Sequence, residues 1–355
     1  MELSSLFLIF SFLALALSSV GESFKNAPAI FVLGDSLADV GNNNNLNVSL
    51  TSTANFPPYG IDFPFKTPTG RFSNGYNTID WLAKHVGYKR SPPSFLSVTK
   101  GASMLHGVNF ASGGSGILDT TGTAITFTTQ IENFRGAIGD LSEKMGEKRA
   151  NYLISKSLFL ISAGSNDMFA YYLASGAQNT TQNEQFVTSL VEKLSERLKV
   201  LYEHGARKFG ILGLSHLGCI PSLKSRNPTG RCFEDLNGLA RIFNTAARAR
   251  MRRLESMLKG MKYSYGNAYD LMSTALDKPH LFGYKDVNSA CCGSGKFNGA
   301  ISCSLKSNLC SNRSQYLFWD QFHPTQATSK YTAKFFFGGS RKYASPINFK
   351  SLARY

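Results

Sequence analysis

The chain has 355 residues, 43% of them hydrophobic and 17% charged, and a formal net charge of +15 at pH 7. No Pro/Ser-rich linker or low-complexity tract interrupts it, so residues 22–355 are read as one domain, large enough to bury a core without metal or disulfide support. The basic residues are scattered and not interleaved with aromatics, which excludes nucleic acid as a partner and leaves room for an acidic polymer such as a cell-wall polysaccharide.

Residues 1–21 read as a signal peptide, because the first twenty carry only one charge, Glu2, and the apolar run 6–17 has the length of an h-region. Ser19 and Gly21 suit the positions before a cleavage site, although no Lys or Arg precedes the run. The run is too short for a transmembrane anchor, and no other stretch is long and apolar enough to be one. The protein is therefore expected to be secreted, into the extracellular space or cell wall.

Residues 29–33 form an apolar run that stops at Gly34-Asp35-Ser36, the pattern of a strand buried on both faces. Ser36 then stands at the strand's carboxyl end, where ligands bind in open α/β sheets. Residues 41–75 are polar and turn-rich, with the composition of a loop. Residues 78–86 carry Ile79, Leu82, Ala83 and Val86 at helical spacing. Apolar runs that break into turn residues recur at 107–116, 157–164 and 208–213, and 263–268 offers a fifth strand. Amphipathic helices are predicted across 187–201 and 236–258. Thr325 is the predicted N-cap of a helix over 326–337. Strands alternating with helices predict a parallel sheet covered on both sides.

Cys219, Cys232, Cys291, Cys292, Cys303 and Cys310 form an even set, which in a secreted chain reads as disulfides. Cys219 and Cys232 bracket a turn-rich loop and are expected to pair; Cys291 and Cys292 have two possible pairings with Cys303 and Cys310. Scattered histidines and the absence of paired Cys-x-x-Cys spacing argue against zinc. Sequons at Asn47, Asn179 and Asn312 agree with a secreted glycoprotein.

The strand ends and loops offer Ser36, the glycines around Gly114, Asn166, and the pair Asp320 and His323. That set suits acyl transfer. A serine hydroxyl is a poor nucleophile until an imidazole takes its proton, and a carboxylate must hold that imidazole in the correct tautomer. The oxyanion needs preorganised donors, which glycine N–H groups and an Asn amide supply. Each piece also has an ordinary structural explanation: Asn166-Asp167 as a helix cap, the glycines as a tight turn, Asp320 and His323 as a surface salt link.

Taken together these motifs resemble the plant GDSL esterases/lipases of the SGNH hydrolase superfamily. The resemblance rests on Phe31-Val-Leu-Gly-Asp-Ser-Leu37, Arg71-Phe-Ser-Asn-Gly75, Gly107-Val-Asn-Phe-Ala-Ser-Gly-Gly114, Gly164-Ser-Asn-Asp167, Cys291-Cys-Gly293 and Trp319-Asp-Gln-Phe-His-Pro-Thr325. Leu33 stands where the family often shows Phe, and Tyr76 where Arg is common. The resemblance implies a flavodoxin-like three-layer α/β/α sandwich with a mostly parallel sheet. It implies Ser36 as nucleophile, His323 as base, Asp320 as orienting acid, and an oxyanion hole from the Ser36 backbone, Gly114 and Asn166, with Gly113 as the alternative to Gly114. It further implies a serine carboxylester hydrolase acting on lipid, cutin-type or acetylated polysaccharide esters, without metal or cofactor. The alternatives are an acyltransferase of the same fold and a catalytically silent binding or defence protein.

Overall fold

Four short strands, β1 (Ile30–Gly34), β2 (Leu158–Ser162), β3 (Lys208–Leu212) and β4 (Lys262–Gly266), lie parallel and pair in that order. An antiparallel strand, Ala344–Pro346, closes the far edge against β4. The computed structural model describes residues 26–47, 52–98, 104–122, 124–176 and 179–355. The expected signal peptide lies outside them.

Register places Phe31, Phe159 and Phe209 side by side across three strands, with ring centroids 5.2 and 5.8 Å apart. Phe134 meets the first two edge-on at 5.3 Å. This aromatic row is the seam for one helix layer, made by Phe127–Met145, Thr180–Glu203 and Glu234–Met257. The opposite layer consists of Thr78–Val86, Gln326–Gly338 and Phe349–Arg354. The result is the α/β/α sandwich that the alternating pattern predicts. Thr78–Val86 shows how local the signals are: Asn77 and Asp80 form a reciprocal capping box, and Gly87 ends the helix in the left-handed conformation.

Residues 107–116 do not form the regular strand expected of them. They run beside β1 on the side away from β2, through Val32 N to Val108 O (3.0 Å), Phe110 N to Val32 O (2.8 Å) and Ser112 N to Gly34 O (3.0 Å). Asn109 also exchanges backbone bonds with Pro93 and Phe95, which breaks the ladder to single bridges. The spatial order is thus this segment, β1, β2, β3, β4. Chain progression reverses at β1, the flavodoxin-like arrangement in which the crevice at the strand's carboxyl end collects ligands.

The described part of the polar region 41–75 is a loop with a partly buried course. Asn42, Asn43, Ala54, Tyr59 and Phe72 are buried. Its amides supply bonds that a buried loop backbone needs, as Asn42 Nδ2 does to the carbonyls of Asn109 (2.9 Å) and Ala111 (2.8 Å). Ala54, Tyr59 and Phe72 pack with Trp319, Cys291, Cys292 and Cys303 in a second core. The disulfides are Cys219–Cys232, Cys291–Cys310 and Cys292–Cys303. Cys291 N and Cys292 N donate to the carbonyls of Phe318 (3.0 Å) and Trp319 (2.7 Å), so the disulfide unit grips the segment that leads to Asp320. Asn47, Asn179 and Asn312 are all exposed.

Candidate active site

β1 ends in Gly34 because no other residue fits there. Its φ is +148°, and a Cβ would lie 2.1 Å from the Ser162 carbonyl oxygen of β2. The Gly34 backbone is further held by buried Gln130, which accepts from Gly34 N at 2.8 Å and donates to Gly34 O at 2.9 Å. Beyond Gly34 the chain makes a single turn, closed by Ala38 N and Asp39 N on the Asp35 carbonyl (3.0 and 2.9 Å), and this turn presents Ser36.

Ser36 Oγ lies 2.8 Å from His323 Nε2, although the two are 287 positions apart. His323 Nδ1 lies 2.8 and 2.9 Å from the two Asp320 oxygens. Asp320 Oδ1 also accepts from the backbone N–H groups of Phe322 and His323, both at 2.9 Å, which locks the carboxylate within its own loop. Its other oxygen accepts from the Tyr59 hydroxyl at 2.8 Å. Phe72 packs on the imidazole with centroids 4.9 Å apart. This is the arrangement in which an imidazole, fixed by a carboxylate on one nitrogen, takes a proton from serine with the other.

Opposite Ser36 stands the glycine loop. Gly113 N–H is occupied, donating to Asp39 Oδ2 at 3.0 Å. Gly114 adopts φ +87°, and a Cβ there would meet nothing within 4 Å. Asn166 does not cap its helix, Ser165–Ser175, whose N-cap is Gly164. Its Nδ2 donates instead to the Ser115 carbonyl at 2.9 Å, leaving the second amide proton for a ligand. Asp167 fastens the same loop, accepting from Ile117 N (2.8 Å), Leu118 N (3.0 Å) and Thr121 Oγ1 (2.8 Å).

Burial alone would raise the Asp320 carboxyl, but the charge and hydrogen bond of His323, with the backbone donors of Phe322 and His323, hold it below the ordinary range. Asp35 and Asp39 go the other way. Burial pushes Asp35 up to about 7 and Asp39 up to about 6, against the lowering effect of their N–H donors. Between the ordinary value of 3.8 and about 7, folded Asp35 keeps a proton that the unfolded chain has lost, so its contribution to stability falls as pH rises through that window. Asp35→Asn retains the oxygen that accepts from Leu37 N and Ser162 Oγ. The variant is expected to melt higher than the parent at pH 8, with the difference vanishing near pH 4. Equal melting temperatures at both pH values would show that Asp35 ionises freely.

Ser36, Gly114, Asn166 and His323 line one wall of a cavity of about 390 Å³. The rest of its wall is mainly apolar, running past Leu214, Leu271, Met272, Ala275, Phe282 and Phe336. Tyr59, Phe72, Gln130 and Asp39 escaped sequence reading. Phe72 lies within the Arg71 to Gly75 motif and Asp39 two residues beyond Leu37, but nothing local marks their partners.

A family model described as GDSL-like lipase/acylhydrolase matches residues 30–336. The chain belongs to the GDSL lipase/acylhydrolase family. It is similar to GDSL esterase/lipase 7 of Arabidopsis thaliana, 38% identical over 340 residues that cover 92% of each chain. It is also similar to the Arabidopsis thaliana GDSL esterase/lipase At5g55050, 36% identical over 92% of this chain and 89% of that one. The extracellular lipase of Streptomyces rimosus is a similar solved structure, with TM-score 0.36 and 14% identity over 87% of this chain and 97% of the other. As a GDSL family member the protein is a carboxylic ester hydrolase of esterase/lipase type. Among the described residues no helix is long and apolar enough to cross a membrane.

Proposed function

We propose that this GDSL enzyme is a secreted hydrolase of esters with long apolar acyl groups, working through an acyl-enzyme on Ser36. The observation that carries the reading is the Ser36, His323 and Asp320 relay opening onto a mainly apolar cavity. His323 Nε2 takes the Ser36 proton as Oγ attacks the ester carbonyl. The tetrahedral oxyanion is held by the backbone N–H groups of Ser36 and Gly114 and by the Asn166 amide; Gly113 is less suited because Asp39 already holds its N–H. Collapse expels the alcohol, which leaves with the proton from His323. Water then attacks the acyl-enzyme, His323 takes the water's proton, and return of that proton to Oγ frees Ser36 and the carboxylic acid. Export is supported by the apolar leader and three disulfides. The net charge of +15 suits a wall rich in acidic polysaccharide.

The test is a series of p-nitrophenyl esters from acetate to laurate. Each methylene taken into the cavity is worth about 0.8 kcal/mol, roughly fourfold in kcat/KM. Specificity should climb along the series until the cavity is full. Ala275→Phe, which puts a ring into the apolar wall, should cut kcat/KM for laurate by roughly tenfold or more while sparing acetate. A profile that peaks at acetate would remove long acyl esters from the reading and favour acetylated polysaccharide.

A further inference from the structure

A buried hydrogen bond between Tyr59 and Asp320 takes no part in the proton transfers at Ser36 and His323. Tyr59 comes from the Pro-rich turn of the 41–75 loop and is 7% exposed. Its ring is wedged between Phe56, Phe72 and Trp319, at centroid distances of 5.2, 6.4 and 5.9 Å. Tyr59 N donates to Phe56 O at 3.1 Å and Gly60 N to Ser73 O at 3.0 Å, so the turn itself is pinned. From this fixed seat the hydroxyl donates to Asp320 Oδ2 at 2.8 Å, across 261 positions of sequence.

We propose that Tyr59 is a positioning residue for hydrolysis, whose hydroxyl fixes the orientation of the Asp320 carboxylate that holds the His323 ring. The inference rests on the reading of Asp320 as the orienting acid. Asp320 Oδ1 is satisfied within its own loop, whereas among the described residues Oδ2 has only the shared His323 Nδ1–H and Tyr59. Without the hydroxyl, Oδ2 is a buried carboxylate oxygen short of a donor, with more charge directed at the imidazole and less restraint on its plane. Among the described residues, Asp35 in the turn after β1 is a further titratable group that His323 influences through space.

Tyr59→Phe keeps the ring and removes only the donor. It should lower kcat about tenfold, the size expected for one hydrogen bond to a buried charged group, with KM little changed. The acid limb of its kcat–pH profile should move to higher pH, because the less neutralised carboxylate makes His323 easier to protonate. In an Asp320→Ala background, where no side-chain oxygen is left to accept from the hydroxyl, the same change should cost nothing further. A second substitution avoids any folding defect: 3-fluorotyrosine at position 59 keeps the shape and donates more strongly, so the acid limb should move to lower pH. A folded Tyr59→Phe enzyme with unchanged kcat and acid limb would overturn the proposal, as would an equal loss with and without Asp320. Full activity of Asp320→Asn alone would overturn the underlying reading and this one with it, and is recognisable separately from a failure of Tyr59.

Discussion

Ser36→Ala is expected to lower kcat by roughly 10⁶, the scale on which a serine hydrolase loses its nucleophile, while the protein melts within a few degrees of the parent. The hydroxyl's hydrogen bond is to His323 Nε2, and the side chain faces a cavity, so its removal disturbs no packing. Fluorophosphonate labelling should disappear with it. The comparison that matters is a second serine–histidine contact, Ser273 Oγ to His216 Nε2 at 2.7 Å. Ser273 also bonds the Tyr269 carbonyl at 3.1 Å and does not line the cavity, which marks it as structural. Label retained on Ser36→Ala and mapped to Ser273 would move the chemistry to that pair. A loss of less than about a hundredfold would exclude Ser36 as nucleophile.

Asn166→Ala is expected to lower kcat by roughly 10²–10³, as for loss of one oxyanion-hole donor, with KM almost unchanged because the charge it serves exists only in the transition state. The substitution also severs the tether to the Ser115 carbonyl. Asp167 remains to hold the loop through its contacts with Ile117, Leu118 and Thr121, so the loop should keep its place and the melting temperature should fall only slightly. Kinetics on folded variant, beside circular dichroism and thermal melting, separate the two roles. Near-normal kcat with a clear drop in melting temperature would make Asn166 a loop tether and leave the oxyanion to backbone donors.

The parallel strands were legible because each is a short apolar run cut off by turn residues, and Thr78–Val86 because period, cap and stop all agree. Phe127–Met145 was missed although Phe127, Gln130, Ile131, Phe134, Ala137 and Leu141 follow a helical stripe. Gly136 and Gly139 interrupt it on the outer face, where no Cβ contact is needed. Ala344–Pro346 is too short for any alternation to register. At the candidate site, Ser36, Asn166, Asp320 and His323 were readable as candidates because side chains of suitable chemistry sit in turn-bounded motifs. Tyr59 was not, because its significance is a bond across 261 positions that only the folded loop creates. Gln130 was hidden for the same reason: it looks like an ordinary polar helix residue until the end of β1 is seen beside it.

The closing strand Ala344–Pro346 has a consequence for self-association. An open sheet edge is a template on which a second molecule can add its own strand. Here β4 is covered by only three residues, ending in a proline that has no N–H to give, so the ladder stops with it. At the other edge, residues 106–112 on β1 are themselves covered by the Pro93 to Phe95 stretch through Asn109. Both margins of the sheet are therefore poor templates for intermolecular β-pairing. Neither margin offers a long free ladder on which a second copy could extend the sheet.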